Sequence, residues 1–192
     1  MTLEFEMFPK IPRLKNSLMR ITEKIDGTNA QILISEDENL PVQAGSRNRW
    51  IYPNTEENKA ADNFGFAAWV SDNSTMLRRL GPGRHFGEWW GAGVGRRYDM
   101  ETKVFSLFNV ARYRKNGLPE GVPVSLVPVL YEGPVDYDQV AIWRESLKAC
   151  GSPAAQHHGK IFLNPEGMVV QIGEFVYKDI IEKTGPSPEE KA

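Results

Sequence analysis

The chain has 192 residues, 41% of them hydrophobic and 25% charged, a length and balance that suit one globular domain with a real core. With 23 basic and 25 acidic residues and a net charge of −2, it is not a protein that coats nucleic acid by bulk charge. Its apolar runs are too short to span a bilayer, so no membrane association is expected.

Met1 to Lys10 carries acidic residues where a signal peptide would carry positive ones, and a cytoplasmic setting is expected. Thr28 to Ser35 reads as a strand, because β-branched and apolar residues cluster there, and Glu36 to Asn39 as a turn. Leu40 to Ala44 would be the return strand of a hairpin ending at Gly45-Ser46-Arg47. Ala60 to Leu80 is the best helical stretch, weakened or split by Gly65 and by Ser-Asp-Asn-Ser at 71–74. Pro82 and Gly83 break the chain before His85-Phe-Gly-Glu-Trp-Trp-Gly91. Lys103 to Val110 and Val124 to Tyr131 are strands by composition. Tyr137 to Ala149 has helical spacing of Val140, Ile142, Trp143 and Leu147, with Gly151 as its stop. The single Cys150 excludes an internal disulfide and a cysteine-based zinc site. Gly167 to Gln171 and Phe175 to Ile181 read as the last strand pieces. The expected domain is 1–183, with a disordered tail over 184–192.

Lys24, in Glu-Lys-Ile-Asp-Gly at 23–27, is a candidate nucleophile. A lysine attacks only when neutral, so such a site must lower its pKa by desolvation or nearby positive charge. By itself the tetrapeptide describes a surface lysine beside a turn at least as well. His85, His157 and His158 make a poor zinc set, having no i, i+4 pair and no matching carboxylate. Trp50, Trp69 and Trp143 read as packing residues. The arginines from Arg47 to Arg114 suit either a local basic groove or a solvated face of mixed charge.

The company of Lys24 favours chemistry. Lys24-Ile-Asp-Gly-Thr-Asn29, then Ser46-Arg47, Gly87-Glu88-Trp-Trp-Gly, Phe105-Ser-Leu-Phe108, Glu166-Gly-Met-Val-Val and Lys178 follow one another in order. That set resembles the covalent nucleotidyltransferase superfamily, and within it the bacteriophage-type RNA ligases. The resemblance spans 23–178. It implies an α/β (α+β) nucleotidyltransferase domain, ATP-grasp-like, with two antiparallel sheets flanked by helices and ATP between them. It also implies an ATP-dependent RNA ligase that forms a lysyl-AMP at Lys24, transfers AMP to a 5′-phosphate and seals it to a 3′-hydroxyl.

The same resemblance gives each residue an expected part. The backbone of Glu23 would lie beside the adenine edge, and Phe108 would stack on the ring. Glu88 would bind the ribose hydroxyls. Asn29 and Arg47 would lie near the reacting phosphate and the RNA end, and Lys178 on the α-phosphate. Glu166 would sit near Lys24 and the metal. Expected cofactors are ATP and Mg²⁺, which binds through few carboxylates and mostly water.

The sequence departs from the family pattern in two places. Val176-Tyr177-Lys178 keeps only the second of two lysines common at that motif, and position 109 is Asn where Asp is frequent. Only a short tail follows Lys178, so a partner chain supplying a nucleic-acid-binding domain is a further expectation. The alternatives are a nucleic-acid end-binding module that keeps the fold without ligation, and an ATP-dependent DNA ligase.

Overall fold

Leu18–Lys24 alternates, with Met19, Ile21 and Glu23 buried on one side and Arg20, Thr22 and Lys24 partly open on the other. This strand, β1, is central in a four-stranded antiparallel sheet of order β10-β9-β1-β8. Its companions are β8 (Val129–Pro134), β9 (Gly167–Ile172) and the edge strand β10 (Phe175–Ile180). The computed structural model describes residues 4–8, 10, 11, 13, 14 and 17–181.

A second sheet has six strands in the order β4-β3-β2-β5-β6-β7. In chain order these are β2 (Thr28–Ile34), β3 (Gln43–Ser46), β4 (Trp50–Ile51), β5 (Gly83–Gly91), β6 (Lys103–Leu107) and β7 (Ser125–Leu126). The short helices α1 (Phe66–Asp72) and α2 (Ser74–Leu77) cover one face, where Phe66, Val70 and Leu77 join Ile32, Ile34, Trp89 and Phe105 in one core. A short α3 (Val110–Tyr113) follows β6. On the smaller sheet, α4 (Asp138–Cys150) packs Leu147 and Trp143 against Met19, Ile21, Met168 and Val170. A third cluster, with Ile25, Trp90, Tyr98 and Ala155 of α5 (Pro153–His157), joins the two halves. With a helix-covered face on each sheet, the uncovered faces are left to form a cleft.

The fold agrees with the expected class and differs in detail. The return strand of the first hairpin begins at Gln43, not Leu40, because Pro41 has no N–H to give a ladder. The helix expected over 60–80 begins only at Phe66, after Gly65 at φ 80°, and breaks at Asn73, whose Nδ2 donates to the Trp69 carbonyl. Strands β1 and β5 and helix α5 were not expected as elements. The larger sheet is not wholly antiparallel, since β7 runs parallel to β6. Helix α4 ends at Gly151 as its spacing implied, where φ is 80°. The expected tail over 184–192 lies outside the described residues. No helix among the described residues is long and apolar enough to cross a membrane.

Candidate active site

Between the sheets lies a cavity of about 440 Å³. Arg20, Thr22, Lys24, Val169, Gln171 and Val176 of the smaller sheet form one wall, and Asn29, Arg47, Glu88 and Phe108 line the other. A polar recess of about 380 Å³ adjoins it and shares Lys24, Asn29, Arg47 and Glu88, adding Thr28, Ser46 and Asn48. Lys24 therefore stands where a largely apolar chamber meets a polar one.

Strand register brings Glu166 to Lys24. Lys24 is opposite Gly167, and the preceding residue accepts a hydrogen bond from Lys24 Nζ at Oε2, 2.6 Å away. Glu166 Oε1 makes no hydrogen bond among the described residues. Asn29 and Glu88 are likewise opposite each other on β2 and β5. Glu88 accepts from the Gly27 N–H at 3.1 Å and from Asn29 Nδ2 at 2.9 Å, while Asn29 Oδ1 accepts from Arg47 Nε at 2.9 Å. Burial pushes the Glu88 carboxyl up to about 7, against the opposing pull of Asn29 and Lys24.

Gly27 is needed for close approach and not for an unusual backbone angle. A Cβ there would lie 2.5 Å from the Trp89 carbonyl oxygen and 2.8 Å from Trp90 Cβ. The Lys24–Gly27 turn can thus press against β5 and reach Glu88.

Two residues that sequence reasoning missed hold this turn from behind. Arg96 pairs with Asp26 at 3.2 Å and donates to the carbonyls of Asn164 and Pro165 at 3.0 and 2.8 Å, tying the turn after Lys24 to the segment leading into Glu166. The Tyr98 hydroxyl accepts from the Asp26 N–H at 2.8 Å, and its ring is fully buried. Arg97, Tyr98 and Asp99 all have left-handed φ, from 51° to 64°, a conformation that costs about 1–2 kcal/mol per L-residue. Packing against the Asp26 turn holds them there. No sequence periodicity marks this loop. Arg20 and Thr22 were also missed, although counting back by two from Lys24 along a strand would have found them.

The Glu23 side chain points away from the cavity. It accepts from Ser152 Oγ at 2.5 Å and from the Ala154 N–H at 2.7 Å, at the start of α5, and burial raises it to about 7. Its backbone remains at the cavity wall. Of the predicted residues, Glu23, Lys24, Asn29, Arg47, Glu88 and Phe108 all line the cavity, and Glu166 joins through Lys24. Lys178 does not line it. It is exposed on β10, opposite Val169 and two residues past Val176, both of which do. His85 is buried, with Nε2 2.9 Å from the Gly81 carbonyl.

A family model described as RNA ligase matches residues 18–180. The chain belongs to the RNA ligase family. Among solved structures it is similar to variants of Naegleria gruberi RNA ligase. A glutamate-to-alanine variant with ATP and Mn superposes with a TM-score of 0.57 at 18% identity, covering 86% of this chain and 50% of that one. An arginine-to-alanine variant with ATP and Mn gives 0.54 at 16% identity, with 86% and 50% coverage. A lysine-to-methionine variant with AMP and Mn gives 0.51 at 18%, with the same coverage. These likenesses show the fold, and the chain spans half the length of those relatives. No curated protein matches it in sequence. The family match contains the whole Lys24–Lys178 set.

Proposed function

We propose that the protein is an ATP-dependent RNA ligase that works through a lysyl-AMP at Lys24. The observation that carries this reading is the position of Lys24 Nζ at the junction of an apolar chamber and a polar recess, 2.6 Å from Glu166. Adenine fits the chamber, against Phe108 and the aliphatic Val127, Val169 and Val176. Glu88 is within the same wall and, when ionised, accepts hydrogen bonds from ribose hydroxyls. The phosphates then lie toward the recess, where Arg47 offers positive charge.

Glu166 is placed to accept the ammonium proton of Lys24. Nζ then bonds to the α-phosphorus as the bond to the bridging oxygen breaks, and pyrophosphate leaves with that electron pair. One oxygen of Glu166 is uncommitted, which fits a hydrated Mg²⁺ or Mn²⁺ bound through a single carboxylate and water. Glu166 would hold it, and it would supply charge neutralisation on the triphosphate when bound. Lys178 is assigned to the α-phosphate by family resemblance. AMP then passes to a 5′-phosphate, and a 3′-hydroxyl displaces it to seal the strand.

Incubation with α-labelled ATP and a divalent ion should label the protein through a bond that survives denaturation and alkali but is cleaved by acid, as a phosphorus–nitrogen bond is, and Lys24→Ala should abolish the label. Wild-type protein that stays unlabelled across pH and metals sinks the proposal. Labelled enzyme offered nicked RNA, nicked DNA or single strands should seal RNA. Sealing of DNA, or end binding without product, would replace the RNA ligase reading.

A further inference from the structure

We propose that the face of the larger sheet beyond the cavity is a stacking platform for the single-stranded RNA adjoining the reacting end, formed by Phe86, Gln31, Trp50 and Arg84. The proposal rests on the RNA ligase reading above and extends it to a surface outside the nucleotide cavity.

Register lines these residues up. Trp50 is opposite Gly45, Gly45 opposite Gln31, and Gln31 opposite Phe86, while the Phe108 N–H donates to the Phe86 carbonyl at 2.9 Å. This row crosses the sheet one strand-step from the Asn29–Glu88 pair, on the same face, because side chains two apart on a strand share a side. Between the two rows, Ala30 is opposite Gly87 and belongs to the core on the other face. Phe86 is 51% exposed, and Phe108, the residue after β6, is 44% exposed.

At the far end of the row, Arg84 lies over the Trp50 ring, its Cζ 5.2 Å from the ring centroid. Arg84 also donates to Gln31 Oε1 at 2.8 Å, and Gln31 Nε2 donates to the Ser46 carbonyl at 3.1 Å. Gly45 makes this layout possible: a Cβ there would lie 2.8 Å from Gln31 Cγ. The guanidinium is thus fixed over an indole. Across the three rows from Arg84 to Arg47, Glu88 at the cavity is the only carboxylate.

An exposed phenylalanine and a half-buried tryptophan beside guanidinium groups suit nucleic acid in single-stranded form. Every base has a π-face to stack, each phosphate can pair with an arginine, and neither contact requires a particular sequence. Continuity with the recess that holds Lys24 and Arg47 places such a strand where its end reaches the nucleophile. Membership of the RNA ligase family makes RNA the occupant.

The test uses the full chain and a short, fluorescently labelled, single-stranded RNA with a 5′-phosphate. Trp50→Ala, Phe86→Ala and Arg84→Ala should each weaken binding about tenfold, within the range for losing one base stack. Arg84→Ala should also lower the slope of log affinity against log salt by about 0.7, the loss of one phosphate contact. Independently of any variant, RNA carrying photoreactive uridine should crosslink to wild-type peptides containing Trp50 or Phe86. Unchanged affinity in all three variants, or crosslinks that map elsewhere, overturns the platform. Equal affinity for DNA of the same sequence overturns the RNA assignment. Labelling of wild-type Lys24 by ATP is measured alongside, since its absence removes the ligase reading itself, whereas normal labelling with unaltered RNA binding removes only the platform.

Discussion

The wall bearing Asn29, Arg47 and Glu88 and the wall bearing Lys24, Arg20 and Val176 enclose one cavity, yet they are held differently. In the first, β2 and β5 have neighbours on both sides, and the polar groups satisfy one another in a chain from Arg47 through Asn29 to Glu88 and the Gly27 N–H. In the second, β10 is an edge strand whose Val176 and Tyr177 are exposed, and Lys178 makes no ion pair among the described residues. Lys24 is attached to this looser wall but is held in place by its turn, pressed against the firmer one. The Asn29–Glu88 side of the cavity is thus formed in advance, and the β10 side is the one left open.

The largest break in that contrast should come from Gly27→Ala, which sets a methyl group against the backbone of β5, 2.5 Å from the Trp89 oxygen. Neither wall has a flexible side chain to yield there, so a loss of about 3 kcal/mol in chemical denaturation is expected. A variant as stable as wild type would mean that the walls part easily. Next is Arg96→Ala, which leaves Asp26 without its charged partner and unties the turn from the Glu166 segment. The rate of self-labelling should fall roughly 30-fold, or about 2 kcal/mol, with the ATP KM little changed and with partial rescue by Arg96→Lys. A lower melting temperature with an unaltered rate would assign Arg96 to stability alone.

The firmer wall was also the more legible in sequence. Asn29, Arg47, Glu88 and Phe108 sit in short motifs whose order survives in one chain, and strand β2 was plain from its β-branched run. Strand β1 was not, because its alternation places Arg20, Thr22 and Lys24 against Met19, Ile21 and Glu23, and a buried glutamate disguises the apolar side. Missing the strand meant missing Arg20 and Thr22. Arg96 and Tyr98 were hidden for another reason: left-handed φ at three successive non-glycine residues is dictated by tertiary contacts, which no local propensity records. Helix α5 went unread as well, although Pro153 starts it with Ser152 as its cap.

Glu23 offers the mildest and sharpest probe of how firmly the turn is anchored. Its carboxyl is buried behind Lys24 and keeps its proton to about pH 7 in the folded protein, against 4.5 for an exposed carboxyl. Between those values the folded state binds more protons than the unfolded one, so this group lowers stability as pH rises, and the effect levels off above about 7. Glu23→Gln removes that titration. His85 and His158, whose pKa values burial lowers, pull stability the other way over the same range, so the readout is the difference between variant and wild type. Changes in hydrogen bonding to Ser152 and Ala154 shift that difference by a constant, and its slope isolates the carboxyl. From pH 6 to 8 the variant should gain about 1 kcal/mol relative to wild type. A flat difference would mean that Glu23 is ionised throughout, held by Ser152 and the start of α5 strongly enough to outweigh its burial.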